Sequence, residues 1–226
     1  MAIDIKIAPS LICMDFLQIG KHIGDLNELA DLYHCDIIDG HFAPAFGLPL
    51  EFIICLKKAA TLPIDAHLMV ENVEKVSDQL VQVGVDIITL PIEAVVSNVF
   101  RIVYKIKDAG IKVGIAINPI TPIENLNYVL SVVDKITILT FDPGIAGQKL
   151  VSVTLDKVSK LTEIKRDKAY SFDIEVDGSC NEKNFQKMRN AGANQFVVGT
   201  SGLFCLDNDI EVAWQKMKRY MNDNQV

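Results

Sequence analysis

Eight short apolar runs recur along this chain, and their spacing restricts the folds open to it more than any other feature. They are 5–10 (IKIAPS), 32–38 (LYHCDII), 63–69 (PIDAHLM), 86–92 (DIITLPI), 112–117 (KVGIAI), 135–141 (KITILTF), 172–177 (FDIEVD) and 195–200 (QFVVGT). Their starts lie 27, 31, 23, 26, 23, 37 and 23 residues apart. Rich in Ile and Val and too short for helices, they predict strands buried on both faces. Between them, 16–32, 73–84, 99–110 and 181–193 set apolar residues at three- and four-residue steps, the period of a helix with one buried face. Glycines after the last turn predict where such helices stop, and Asn181 and Asp207 stand where N-caps belong.

Strand–helix alternation eight times over, with no linker or break in composition, predicts a single (β/α)8 TIM barrel over residues 1–226. An open doubly wound sheet would show the same alternation. Its G-x-G-x-x-G turn is missing, however, and the chain reads APSLICMD after the first strand. At 226 residues and 50% hydrophobic, the chain can bury one core of this size.

Charge and cysteine usage narrow the class. With 22 basic and 29 acidic residues the net charge is −7, which argues against nucleic acid or an anionic membrane surface as partner. A small anion, which responds to local groups, stays open. No stretch approaches the ~20 apolar residues of a membrane span, and MAIDIKIAPS lacks the flanks of a leader. The five cysteines are scattered without a C-x-x-C pair, as expected of reduced thiols in a cytoplasmic protein.

A barrel carries its function at the C-terminal ends of its strands, whereas polar residues at strand starts are expected to serve stability or solubility. Strand alternation puts His34 and Asp36 on one face of the second strand. His67 falls near the end of the third strand, Asp177 is the last polar residue of the seventh, and Ser10 ends the first. Two imidazoles and two carboxylates thus converge on one mouth, a ligand set for one divalent ion such as zinc, iron, manganese or cobalt. A lone histidine there is more commonly structural, and an aspartate before glycine is more commonly a turn residue. Convergence shifts the balance, because His34, His41 and His67 all fall at or after predicted strand ends. His22, in mid-helix, is predicted to lie at the surface without a role.

Two sets of small residues complete the mouth. Gly144, Ile145, Ala146 and Gly147 lie in a glycine-bearing loop that reads as a mobile lid, although an ordinary turn fits Pro143-Gly144 as well. Gly178-Ser179 and Gly199-Thr200-Ser201 follow the last two strands, where barrels commonly bind phosphate through backbone N–H groups; compact turns are the plainer alternative. The four arginines fall in helical stretches, and Lys6, Lys112 and Lys135 at strand starts, so no lysine is placed for Schiff-base chemistry. Asp36 and Asp177 remain as acid–base candidates.

The segments IAPSLICMD, HCDIIDGHF, DAHLMV, INPITP, DPGIAGQ, EVDGS and VGTSGLF, in order over nearly the whole chain, resemble the ribulose-phosphate 3-epimerase family. Within it, SLICMD, IEVDGSCN and VGTSGLF look most like the branch acting on allulose 6-phosphate. The pentulose branch usually has a second glycine where Ser179 stands and a serine where Thr200 stands. The resemblance implies a divalent metal held by His34, Asp36, His67 and Asp177, with Asp36 and Asp177 transferring protons on opposite faces of a bound ketose phosphate. It implies that Ser10 and His67 contact sugar oxygens. Gly144, Ile145, Ala146, Gly147, Gly178, Ser179, Gly199, Thr200 and Ser201 take the family's lid and phosphate positions. It also implies assembly into dimers or hexamers.

Four positions depart from the family pattern: Ile38 for a usual Met, Ala45 for Asn, Pro91 for His and Ile145 for Phe. None removes a ligand or either carboxylate, so they bear on substrate preference and lid closure. The expected activity is a metal-dependent 3-epimerase of allulose 6-phosphate and fructose 6-phosphate. Ribulose 5-phosphate and xylulose 5-phosphate are the alternative pair. A non-catalytic phosphosugar-binding barrel is the alternative of another class, favoured by the altered lid and fourth strand. A metal-dependent aldolase is disfavoured by the single carboxylates on the second and seventh strands.

Overall fold

The computed structural model describes residues 4–145 and 147–222. Eight parallel strands form one sheet: β1 (Lys6–Pro9), β2 (Tyr33–Ile38), β3 (Ile64–Met69), β4 (Ile87–Pro91), β5 (Lys112–Ile117), β6 (Lys135–Leu139), β7 (Asp173–Asp177) and β8 (Gln195–Val198). Consecutive strands pair from β2 to β8, and β8 pairs with β1. The seam between β1 and β2 is joined by one parallel bridge, Ser10 with His34, and by the Ile7 amide donating to Asp31 Oδ2 at 2.8 Å. Each predicted run contains its strand, and the barrel is the predicted one.

Eight α-helices are described: α1 (Ile19–Asn27), α2 (Leu50–Ala59), α3 (Val73–Val83), α4 (Ile92–Val95), α5 (Val99–Asp108), α6 (Val153–Asp167), α7 (Phe185–Ala191) and α8 (Ile210–Asn222). Helical spacing explains their placement: α5 buries Val99, Ile102, Val103 and Ile106 and leaves its other face to solvent. The Asn72 side chain accepts from the Lys75 amide at the start of α3, and Gly84 and Gly192 end α3 and α7. The main core lies between sheet and helices, while Ala8, Leu32 and Val197, with Ile87 against them, form a separate small cluster.

The alternation is broken at one place. After β5 the described residues form only a 3-10 turn, Ile123–Leu126, while β4 is followed by both α4 and α5. Pro119 and Pro122 hold Asn118 and Thr121, the residues before them, out of the helical region, so no helix forms before Ile123. Ile123, Leu126, Val129 and Leu130 remain buried, so the segment still covers the sheet without being helical. Lys157 on α6 holds it, donating to the carbonyls of Asn118 (3.0 Å), Pro119 (2.6 Å) and Thr121 (2.6 Å).

Two expected caps move. The start of α7 is Phe185, and Asn181 instead accepts from the Lys183 amide in the preceding turn. At α8 it is Asp209 that accepts from the Glu211 and Val212 amides, while Asp207 pairs with Lys216 at 2.7 Å. His22 is mid-helix as expected, but it is buried. Its ring lies 6.1 Å from that of Phe204, on the same inward stripe of α1 as Ile23 and Leu26. No helix among the described residues is long and apolar enough to cross a membrane, and all five cysteines are free.

Candidate active site

A cavity of about 390 Å³ opens at the C-terminal mouth of the barrel, within the size range of small-molecule sites. Its wall includes Ser10 after β1, Asp36 on β2, Asp177 at the end of β7, Gly178-Ser179 beyond it, and Gly199-Thr200-Ser201 after β8. Gly144, Ile145 and Gly147 contribute from the loop after β6. Ala146 lies outside the described residues. Among the described residues, no arginine or lysine lines the cavity.

His34 and His67 sit beneath this wall, fully buried. His34 is the second residue of β2, not a strand-end residue, and it is level with Asp65 on β3 and Ser10 beyond β1. Strand stagger around the barrel brings so early a residue up to the mouth. His41, by contrast, is exposed in the loop after β2.

The four expected ligands do gather. His34 Nε2 is 3.1 Å from Asp36 Oδ1, 3.2 Å from His67 Nδ1 and 3.7 Å from Asp177 Oδ2. His67 Nδ1 is 3.3 Å from Asp36 Oδ1 and 3.5 Å from Asp177 Oδ2. Ligand bonds of about 2.0–2.2 Å would set tetrahedral donors roughly 3.3–3.6 Å apart, so these separations fit one small divalent ion. The donor chemistry fits as well, since two imidazoles and two carboxylates suit several transition ions.

Electrostatics in the cluster is strongly coupled. Burial alone would raise the Asp36 pKa, but the charge and hydrogen bonds of His34 and His67 outweigh it and hold the carboxyl far below its usual range. Burial would lower both histidines. Asp36, Asp65 and Glu175 nevertheless raise His34 well above the usual value, and hydrogen bonds with Asp177 and Asp36 raise His67 despite repulsion from His34. Ser10 Oγ donates to Asp36 Oδ2 at 2.7 Å, which leaves Oδ1 to His34 and His67.

The phosphate-type loops have steric causes. Gly178 has φ +106°, and a Cβ there would come within 2.5 Å of the Phe141 ring. Ser179 follows at φ +52°, with its hydroxyl donating to the Gln148 carbonyl at 2.8 Å. The loop after β6 lies against the loop after β2, since a Cβ on Gly144 would approach Ala43 Cβ to 2.9 Å. Of the four departures from the family pattern, Ile38 and Ile145 line the cavity, while Ala45 and Pro91 do not.

Sequence reasoning missed several residues. Met69, Leu139 and Val197 also wall the cavity, and their positions near strand ends on the inward alternation could have indicated them. Asp39 ties two mouth loops together, accepting from the amides of His41, Phe42 and Glu71. Lys135, read as a strand-start residue serving stability or solubility, is only 2% exposed and lies inside the barrel beneath His34.

A parallel barrel whose mouth gathers two imidazoles, two carboxylates and glycine-rich turns around a small cavity is built as an enzyme for a small polar molecule. The sequence model of the Ribulose-phosphate 3 epimerase family matches residues 6–204, and the chain belongs to this family. It is 38% identical over 204 residues to the ribulose-phosphate 3-epimerase of Rhodobacter capsulatus, covering 89% of this chain and 86% of that one. To the ribulose-phosphate 3-epimerase of Treponema pallidum (strain Nichols) it is 36% identical over 198 residues, covering 86% and 89%. A crystal structure of 3-hexulose-6-phosphate synthase superposes with a TM-score of 0.72 at 15% identity, over 96% of this chain and 100% of that one, a likeness of fold. The chain is therefore an epimerase, an isomerase, and the non-catalytic barrel is set aside.

Proposed function

We propose that the protein inverts carbon 3 of a ketose phosphate by two-base proton transfer assisted by a divalent metal. One observation carries this reading: Asp36 and Asp177 reach the cavity from β2 and β7 while both also belong to the four-ligand cluster. His34, Asp36, His67 and Asp177 would hold the metal. Bound there, it would supply positive charge to offset the negative charge that develops on the substrate oxygens.

The chain's own groups account for the rest. One aspartate takes the carbon 3 proton, and the C–H electron pair moves toward the carbonyl. The carboxylic acid of the other aspartate then returns a proton from the opposite face. Asp36 is held ionised by its imidazole neighbours and oriented by Ser10, and either aspartate takes the first part according to the direction of the reaction. Backbone around Gly178, Ser179, Gly199, Thr200 and Ser201 would receive the phosphate, with Gly144, Ile145 and Gly147 closing over it and Ser10 directed to the sugar, while His67, fully buried beneath the wall, is placed for the metal and not for the sugar. The ion is one of zinc, iron, manganese or cobalt. We further infer a single barrel domain, a cytoplasmic location and assembly as a dimer or hexamer.

The names of the relatives favour D-ribulose 5-phosphate and D-xylulose 5-phosphate as the pair. D-allulose 6-phosphate and D-fructose 6-phosphate are the second reading, for which Ser179 speaks: a serine side chain, hydrogen-bonded to the Gln148 carbonyl, stands at the phosphate-side turn instead of a second glycine. Steady-state rates on both pairs, measured side by side on metal-loaded protein, test both readings. A higher kcat/KM on the pentulose phosphate supports the first and a higher value on the hexulose phosphate the second. No turnover of either would overturn the proposal.

A further inference from the structure

Beneath the mouth, the barrel interior holds a second polar layer that no step of the proposed reaction uses. Lys135 leaves β6, reaches across to Asp65 Oδ2 on β3, and donates to Glu175 Oε1 on β7 at 2.8 Å. Its stem passes over Gly114 on β5. A Cβ there would come within 3.0 Å of Lys135 Cε and 2.5 Å of Thr89 Oγ1, so only glycine leaves the crossing open. Thr89 donates to Asp65 Oδ1 at 2.8 Å, and Thr137 donates to Glu175 Oε1 at 2.8 Å. Both carboxylates are fully buried and held on both oxygens, Gln195 supplying the last donor to Glu175.

Above this layer lies His34. His34 Nδ1 is 3.3 Å from Asp65 Oδ2 and 3.9 Å from Glu175 Oε1, off the angle of a formed hydrogen bond but with carboxylate oxygens as its polar neighbours. Such surroundings favour a proton on Nδ1 and leave the Nε2 lone pair directed at Asp36, His67 and Asp177. His34, Asp65 and Glu175 could themselves gather a cation, but the Lys135 ammonium is already held between the two carboxylates.

We propose that Lys135 and Asp65 are a positioning pair for His34: the lysine pins Asp65 beneath the imidazole, which fixes Nδ1–H downward and Nε2 toward the mouth. This rests on the reading of His34 as a metal ligand. Partners behind a ligating imidazole typically change metal affinity by about 10–100-fold. The pair should therefore act on metal affinity and on the ring's protonation pattern, while the outward fold stays as it is.

The test uses protein labelled with 15N at histidine and loaded with Zn2+, with His34 assigned through His34→Gln. The expected pattern is a protonated Nδ1 on His34 with Nε2 metal-bound. Lys135→Met and Asp65→Asn should each weaken Zn2+ binding, measured by chelator competition, by about 10–100-fold. Thr137→Val, which removes one donor to Glu175 and leaves the pair intact, should stay within about threefold. Folded Lys135→Met and Asp65→Asn proteins with parent affinity would overturn the proposal, as would an unprotonated His34 Nδ1 in the parent. The parent pattern and Asp65→Asn decide the matter if Lys135→Met fails to fold. A parent that takes up no Zn2+ would count against the proposed function first. In that event an unprotonated Nδ1 in metal-free protein overturns the positioning pair too.

Discussion

Ser10 and Asp36 are joined by a buried 2.7 Å hydrogen bond across the β1–β2 seam, from the serine hydroxyl to the oxygen of Asp36 that turns away from His34. The bond orients a carboxylate that serves two partners at once, the histidine cluster through Oδ1 and Ser10 through Oδ2, while the residue also lines the cavity. Removing charge from that carboxylate, or from its counterpart on β7, should stop proton transfer. Asp36→Asn and Asp177→Asn are each expected to slow exchange of the carbon 3 proton with solvent deuterium by about 10²–10⁴-fold, with circular dichroism unchanged. Exchange at the parent rate in both variants would end the two-base mechanism.

The histidines give a pH dependence of definite sign. In metal-free protein, His34 and His67 have pKa values raised above the unfolded value of about 6.5. Their contribution to stability is then fully present below that pH and is lost as pH rises through the folded values. Asp36, held low, contributes fully above its unfolded pKa and loses this progressively as pH falls from there through its folded value. Chelator-treated protein should melt at a higher temperature at pH 6 than at pH 9. The increment from added Zn2+ should grow with pH, because ligands must shed protons to bind it. The reverse order of melting temperatures in chelator would contradict the assignment.

Gly178→Ala tests the turn after β7. Its positive φ and the approach to Phe141 combine backbone strain with overpacking, each of about 1–3 kcal/mol. Urea unfolding should register a loss of about 2–6 kcal/mol, together with a raised KM for the sugar phosphate. An unchanged midpoint would show that the turn relaxes without cost.

Lys157→Met addresses the segment that replaces a helix after β5. It removes an ammonium donating to three carbonyls, and hydrogen bonds to charged groups are worth about 1.5–3 kcal/mol each. A loss of at least about 1.5 kcal/mol in denaturant titration is expected; a change below about 0.5 kcal/mol would mean that water replaces the lysine.

The strands were legible because burial on both faces leaves Ile- and Val-rich runs of fixed length, as in 112–117 and 135–139. Asp36 and Asp177 were legible through simple alternation. The lack of an α-helix after β5 among the described residues was not, since Leu126, Val129 and Leu130 keep an apolar spacing and stay buried without one. The depth of His34 and the crossing of Lys135 depend on stagger between strands far apart in sequence, which no local period encodes. His22 was misplaced because a polar residue on an inward helical stripe looks the same in sequence as one on the outward face.

The order of the strands also sets a timetable. His34, Asp36 and His67 leave the ribosome early, on β2 and β3, while Asp177 arrives only with β7, and β1 has no strand partner but the last, β8. A nascent chain therefore carries three of the four proposed ligands well before the barrel can close around them. Capture of an ion in the final geometry would belong to the end of synthesis, when the returning strand seals the wall.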